Sequence, residues 1–458
     1  MGKLRFFIAL WAAKLSVPLL RVTRHNGTNF PGELALKLCP DFLKYVSKPG
    51  RIVTVTGTNG KTTVCNLVCD VLEKSGRPVL NNRAGSNINS GIATAMLTGV
   101  SVFNRAKFTT AVLEVDERSS KRIYPYVCPD LTLITNLFRD SIMRNAHPGY
   151  IADFLTQSIP AKTRLVLNAD DLICARVAPD NERVYFGIGP MDSDVTACIN
   201  RTNDMQICPN CHSALKYEYL RYHHIGKAYC PDCNFRAPQS AYYAEQVDFD
   251  ARTLTFREGE QTRQYALLSD SIFNAYNLTA AVALLRELGL THDEISAAMA
   301  QTRLVASRYN EEMIGTNKLI MHMSKEKNAL ACSRALEYVS GQPGEKEILL
   351  VMNCIGDEKH WSENVSWLYD CDVEFLNHPD IRCIAVTGKR AWDYRQRLLL
   401  AGVPEEKVRL NEDPFAAAGL LDYAPNTSIY VLHGVDSLNL ANRVRAAIAD
   451  TLRKGAQQ

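Results

Sequence analysis

"VTVTGTNGKTTVCNL", residues 53–67, decides how the fold is read. A β-branched run, "RIVTVT" (51–56), meets Gly57 and Gly60, and Val64, Leu67, Val68, Val71 and Leu72 then recur at helical spacing. Strand, glycine turn and helix together are the layout of a phosphate-binding loop. Its usual spelling, G-x-x-x-x-G-K-[ST], would place the first glycine at position 55. The chain has Val55 there, but the physical requirements are otherwise met. Gly57 and Gly60 can take the backbone shapes such a loop needs. A helix starting near Lys61 offers its first N–H groups to phosphate. Lys61 would reach the β/γ-phosphates of ATP, and the Thr62 hydroxyl would ligate Mg²⁺.

Outward from the loop, "FTTAVLEVD" (108–116), "DLTLITNL" (130–137) and "TRLVLNADD" (163–171) read as further short apolar strands separated by helical segments. This alternation predicts a parallel α/β sheet. Ligands on such sheets bind at the carboxyl ends of the strands. The polar clusters Glu114-Val-Asp116-Glu117, Asn136 and Asn168-Ala-Asp170-Asp171 fall there. "NAYNLTAAVALLRELG" (274–289) reads as a helix with Gly289 near its stop. After about residue 305 a second α/β segment begins. Its expected strands are "EILLVMN" (347–353), "IRCIAVTG" (381–388) and "SIYVLHG" (428–434), and "PFAAAGLLDYA" (414–424) is its expected helix.

The chain has 458 residues, 52 basic and 49 acidic, for a net charge of +3. That length suggests about three domains, and the charge gives no electrostatic case for nucleic acid. "FFIALWAA" (6–13) is too short to cross a bilayer, which needs about 18 apolar residues or more. No secretory signal is evident, so the 14 cysteines read as reduced thiols of a cytoplasmic protein. Residues 3–22 suit an amphipathic helix with basic ends. It would either pack on its own domain or lie at a membrane surface, with the chain peripheral at the inner face.

Residues 205–240, rich in Cys, Tyr, His and Pro, break the pattern and read as an inserted module. "CPNC" (208–211) and "CPDC" (230–233) are separated by 18 residues. This is a strong zinc-ribbon spacing. Two such knuckles, Cys208, Cys211, Cys230 and Cys233, make a closed, tetrahedral structural Zn²⁺ site.

The spelling T-G-T-N-G-K-T-T, with Thr58, Asn59 and Thr63 beside Gly57, Gly60, Lys61 and Thr62, resembles the ATP loop of the Mur ligase superfamily. Members of that superfamily form amide bonds on cell-wall precursors and folates. The resemblance implies that Glu114 of "LEVDE" binds Mg²⁺. "TNLFRD" (135–140) resembles the next signature, with Asn136 and Asp140. "FNAYNLTAA" (273–281) resembles the H-N-x-x-N-x-x-A-A stretch, which implies that Asn274 and Asn277 lie near adenine, with Phe273 where the family has histidine. In "VASRY" (305–309), Arg308 matches the family's G-R element. The implied architecture is a central P-loop ATPase domain (49–304) with an inserted four-cysteine zinc ribbon. A segment of helix and loop (1–48) packs on it, and a Rossmann-like α/β domain (305–458) follows.

The ribbon narrows the resemblance to the MurT family, ligase subunits of lipid II isoglutaminyl synthase. "GTNFPGELALKLCP" (27–40), "KN" (327–328) and "VSWLYDCDVEF" (365–375) resemble that family's stretches. The implied reaction is amidation of the α-carboxylate of D-glutamate in the lipid II stem peptide, through an acyl phosphate. Ammonia would come from a separate GatD-type glutamine amidotransferase, and Lys61 and Glu114 would serve the chemistry. In that family an aspartate before the S-W pair completes the partner's catalytic Cys-His pair. Here the run is the longer "NCIGDEKHWSENVSW" (353–367), in which Asp357 could supply that carboxylate. Counting back from Trp367 places Asn364 there instead. Two other readings remain at this stage. One is a Mur-type ligase that adds an amino acid, as folylpolyglutamate synthetases do. The other is a zinc-ribbon nucleic-acid-binding ATPase, with Lys216, Arg221, Lys227 and Arg236 set among tyrosines.

Overall fold

The computed structural model describes residues 2–22, 29–83, 86–139, 147–267, 271–301, 310–352 and 365–455. The chain forms two compact units. One comprises Met1–Phe138, Pro148–Ile199 and Asn203–Leu304, and the other Arg139–His147, Asn200–Thr202 and Val305–Gln458.

The first unit is built on a nine-stranded sheet. Its early strands are β1 (Arg51–Thr56), β2 (Val79–Asn81), β3 (Thr110–Glu114), β4 (Leu131–Ile134), β5 (Arg164–Asn168) and β6 (Arg183–Ile188). An excursion carrying the hairpin β7 (Lys216–Tyr222) and β8 (Ile225–Tyr229) follows. The chain then returns as β9 (Tyr242–Asp248), β10 (Thr253–Glu258) and β11 (Gln261–Ala266). The order across the sheet is β11-β10-β9-β6-β5-β4-β1-β3-β2. The strands from β9 to β2 in that order run parallel. Because β1, β3, β4 and β5 are parallel neighbours, their carboxyl ends share one edge, with Val55 paired to Glu114. The expected all-parallel sheet is corrected at its other side, where β10 pairs antiparallel with both β9 and β11. β11, "QTRQYA", buries only Tyr265 and lies at the sheet edge, so its sequence carries little apolar signal.

The N-terminal helices belong to this unit. Helix α1 (Gly2–Val22) turns Phe6, Ala9, Leu10 and Ala13 into a core shared with α2 (Phe30–Leu38), α3 (Phe42–Tyr45) and the sheet residues Ile52 and Leu113. Each large side chain so buried contributes about 1.5–3 kcal/mol. One side of α1 therefore packs on its own domain. α4 (Lys61–Lys74) follows the glycine turn, and α5 (Asn89–Thr98) crosses α2. The "FPG" of 30–32 explains that crossing. Pro31 starts the helix, and Gly32 lies so close to α5 that an added Cβ would sit 1.9 Å from the Ser90 carbonyl oxygen. The Gly32 N–H also donates to Thr94 Oγ1 at 2.9 Å.

In the second unit the order is β12-β13-β17-β14-β15-β16. The ranges are β12 (Asn310–Ile314), β13 (Asn317–Met323), β14 (Lys346–Val351), β15 (Ile381–Val386), β16 (Val408–Leu410) and β17 (Ser428–His433). Only the β12–β13 pair is antiparallel. The three expected strands are its centre. The helix expected over 414–424 stops earlier, at Pro414–Ala418. Beyond it the buried Glu347 carboxylate accepts the N–H groups of Asp422, Tyr423 and Ala424 at 2.8, 3.0 and 2.9 Å. A charged acceptor holding successive amides outcompetes another helical turn. The "VSWLYDCDVEF" stretch is shaped by a buried arginine. The Arg397 guanidinium donates to the Leu368 and Cys371 carbonyls at 3.0 and 2.8 Å and pairs with Glu374, while Trp367 fills the core.

Gly32→Ala is expected to destabilise the first unit by about 1–3 kcal/mol through forced separation of α2 and α5. Gly341→Ala, where a Cβ meets nothing within 4 Å, should leave stability unchanged. Denaturant titration of both variants checks this.

Candidate functional site

The turn between β1 and α4 is gripped from β4. Thr58 N–H donates to the Asn136 carbonyl at 2.8 Å, and Asn59 N–H donates to Asn136 Oδ1 at 3.0 Å. Asn136 Nδ2 donates back to the Asn59 carbonyl at 3.1 Å, and Thr135 Oγ1 donates to the same oxygen at 2.6 Å. The Thr58 hydroxyl accepts Phe138 N–H at 2.9 Å. Asn136 therefore clamps the loop itself. Gly57 and Gly60 have φ of +122° and +86°. A Cβ would lie 2.3 Å from Thr135 Oγ1 at Gly57 and 2.1 Å from Asn277 Oδ1 at Gly60. Backbone conformation and space both demand glycine at the two positions.

Gly60 is the N-cap of α4 and has no side chain with which to cap it. The first-turn amides of Lys61, Thr62 and Thr63 thus open an anion-binding helix end. Lys61 folds back over the loop. Its Nζ bonds the Gly57 carbonyl, lies 3.3 Å from the Thr58 carbonyl and pairs with Glu117 Oε1 at 2.9 Å. Glu117 is buried, which raises its pKa, and the Lys61 ammonium opposes that rise. Sequence reasoning placed Glu117 in the acidic cluster and gave it no role, since strand position alone does not show which carboxylate turns toward the lysine.

Glu114 closes β3 beside Val55 and is half-buried. Its Oε1 accepts from Asn87 Nδ2 at 2.8 Å, and its backbone exchanges two hydrogen bonds with the buried Asn82, both 2.9 Å. Asn277 is buried on the helix Ile272–Glu287 against Gly60, and Asn274 lies one turn earlier. Phe273, in the family's histidine position, packs on Tyr222 of the hairpin with ring centroids 5.1 Å apart. The structure brings together Gly57, Thr58, Asn59, Gly60, Lys61, Asn136 and Asn277. Arg308, Asp140, Asp357 and Asn364 lie outside the described residues.

The sulfur atoms of Cys208, Cys211, Cys230 and Cys233 lie within 4.8 Å of one another. Cys208–Cys233 and Cys211–Cys230 approach to 3.6 and 3.4 Å, and none of the four is in a disulfide. Thiolates about 2.3 Å from a tetrahedral ion stand about 3.8 Å apart, so the cluster fits one such ion. The two knuckles are built alike. Cys208 N–H donates to the Ser213 carbonyl at 2.7 Å, and Cys230 N–H to the Phe235 carbonyl at 2.9 Å. Backbone and hydroxyl donors at Ser213 hold the Cys211 thiol down at about 6, which favours a thiolate there.

The other end of the hairpin reaches the sheet edge. His224 is buried, 3.3 Å from Asp171 Oδ1 and 4.6 Å from the Phe138 ring centre. The Arg221 side chain is 3% exposed and meets Asp170 and Asp194 at 3.4 and 3.1 Å. The Tyr276 hydroxyl joins the network, 2.8 Å from Asp170. The alternative of a base-stacking surface thereby loses Arg221, while Lys216 and Arg236 stay exposed. Tyr217, Tyr219 and Tyr222 are buried, Lys227 bonds the Pro238 carbonyl at 2.6 Å, and Arg236 pairs with Glu218 at 2.9 Å.

A largely parallel sheet whose glycine turn opens an anion site beside a lysine and strand-end carboxylates is the layout of a phosphate-loop ATPase domain, and the comparisons identify it as that of a Mur-type ligase. The Mur ligase middle domain family matches residues 55–204, and the MurT ligase C-terminal family matches 326–436. The chain is 30% identical to the lipid II isoglutaminyl synthase (glutamine-hydrolyzing) subunit MurT of Staphylococcus aureus (strain COL), over 92% of this chain and 93% of that one. It is also 30% identical to the subunit of the same name from Streptococcus pneumoniae (strain ATCC BAA-255 / R6), over 84% of each chain. The fold resembles a pseudomurein peptide ligase type C from Methanothermus fervidus. The TM-score is 0.65 at 23% identity, covering 90% of this chain and 81% of the other. The chain belongs to the MurT family of ligase subunits.

Cys208→Ser and Cys230→Ser are each expected to release about one zinc per chain. Both should lower the unfolding midpoint. Elemental analysis after dialysis, with thermal unfolding alongside, tests the assignment; variants that keep metal and midpoint overturn it.

Proposed function

We propose that the chain amidates the α-carboxylate of D-glutamate in the lipid II stem peptide, giving D-isoglutamine, as the ligase subunit beside a GatD-type glutamine amidotransferase. The observation that carries this reading is the glycine turn with Lys61 inside a chain that aligns with a glutamine-hydrolyzing lipid II isoglutaminyl synthase subunit over 92% of its length.

A carboxylate is a poor electrophile. Its oxygen attacks the γ-phosphorus of ATP, ADP leaves, and an acyl phosphate forms. Ammonia then attacks the acyl carbon, phosphate leaves, and the surplus proton passes to solvent. The amides of the 57–63 turn receive the phosphates, and Lys61 balances charge on the transferring group. Glu117 holds the lysine over the loop between turnovers. Thr62 and Glu114 are the residues that would hold Mg²⁺, which would offset negative charge on the phosphates. Asn274 and Asn277, with Arg308, are assigned to the rest of the nucleotide. The four cysteines hold Zn²⁺ as a structural ion, since four thiolates leave no open position for substrate.

A glutamine-hydrolysing partner fits the chemistry, because free ammonia is mostly protonated at neutral pH. Asp357 is assigned to the face that meets this partner.

Incubation with ATP, Mg²⁺, lipid II and ammonium salt should yield ADP and a lipid lighter by the exchange of –OH for –NH₂. Lys61→Ala should slow turnover about 100-fold or more. A mass gain the size of an amino acid would replace this reading with an amino-acid-adding ligase. Asp357→Asn should lower glutamine-driven turnover while leaving ammonium-driven turnover intact. Equal loss of both would remove Asp357 from the partner interface.

A further inference from the structure

The side of α1 opposite its packed face is apolar. Leu4, Ile8, Trp11, Leu15 and Leu19 are 69, 52, 47, 72 and 65% exposed. Steps of four, three, four and four residues keep them on one stripe about 80° wide along the helix. The packed residues Phe6, Ala9, Leu10 and Ala13 point the other way. A surface helix of a soluble domain carries polar residues on that side. Here the polar residues are displaced to the flanks and the ends.

A neighbouring loop continues the stripe. Trp11 Nε1 donates to the Val102 carbonyl at 2.9 Å, and Val102 and Phe103 are 50 and 73% exposed. Lys14 ties the helix to the same region through the Leu97 and Val100 carbonyls at 2.8 and 2.7 Å. On the helix and the loop themselves, charge has one sign. Lys3 and Arg5 stand at the helix start, and Arg105 and Lys107 on the loop, all exposed. Neither α1 nor residues 101–107 contains an aspartate or glutamate, and the first acidic residue of the chain is Glu33. No helix among the described residues is long and apolar enough to cross a membrane.

We propose that the outward face of α1, with the Val102–Phe103 loop tip, is a docking surface for an anionic lipid bilayer, on which the helix lies in the interfacial plane. A long, narrow apolar stripe with an interfacial tryptophan and basic flanks matches such a surface in shape and charge. A protein partner of the same stripe would instead need acidic groups facing Lys3, Arg5, Arg105 and Lys107. A second copy of this face presents the same positive charges and repels them. The inference stands on the exposure and charge of α1, independently of the chemistry at the glycine turn.

The test is co-sedimentation of the full chain with phosphatidylglycerol-containing vesicles and with pure phosphatidylcholine vesicles. Binding should favour the anionic vesicles, weaken as salt rises, and shift Trp11 emission to the blue. Trp11→Phe should remove the shift while binding persists. Ile8→Glu combined with Leu15→Glu should reduce vesicle affinity about tenfold or more. Both positions are exposed, so the unfolding midpoint and ATP turnover without vesicles should be unchanged. A full chain that stays in the supernatant with anionic vesicles at low salt overturns the proposal. So does a double variant that binds as well as the parent, or a self-associated parent that the double variant dissociates without any vesicle binding.

Discussion

The first unit depends on one constraint at the end of β1. Two residues must take left-handed backbone conformations while touching neighbours that leave no room for a Cβ. Gly57 lies against Thr135 and Gly60 against Asn277. These contacts join the turn to β4 on one side and to the helix Ile272–Glu287 on the other. The helix amides of α4 are thereby aimed at the sheet edge before any ligand arrives, a preorganisation that lowers the cost of binding phosphate. Lys61 is held in the same way, by two loop carbonyls and by Glu117. The positive charge is thus positioned by the protein and does not have to be collected by the ligand.

Much of this was legible in residue order because its causes are local. A β-branched run, a closely spaced pair of glycines and a lysine at a helix start constrain one another over a few positions. The strand-end positions of Glu114 and Asn136 follow from the same alternation. The fold-class rule gave a parallel sheet, while the adjacency of β1 to both β3 and β4 is visible only in the structure. What could not be read depends on distant partners. Glu117 meets Lys61 only because the chain turns sharply after β3, and the segment after the 414 helix is held out of helix where a carboxylate on β14 collects the amides of 422–424. The β10–β11 hairpin escaped notice because an edge strand need not alternate apolar and polar residues to be stable once paired.

The basic and aromatic residues of the cysteine module show how composition alone leaves a reading open. As a string they resemble a surface for stacked bases. In three dimensions Arg221 is a buried ion-pair centre and the tyrosines pack inward. Composition reports which groups are available, and burial decides which of them face solvent. The first helix is a different case, since its sequence left a packed and a membrane-surface reading open, and its structure buries one side while five large apolar side chains stay exposed.

The tip of the same hairpin joins two parts of the unit that are far apart in the chain. His224 lies on Asp171 and against Phe138, Asp171 accepts the Leu137 amide at 2.7 Å, and the Phe138 amide bonds the Thr58 hydroxyl. A continuous train of buried contacts therefore runs from the module that carries the four sulfurs to the glycine turn. Loosening of the hairpin would therefore be felt at the glycine turn through packed side chains, however far apart the two lie in the chain.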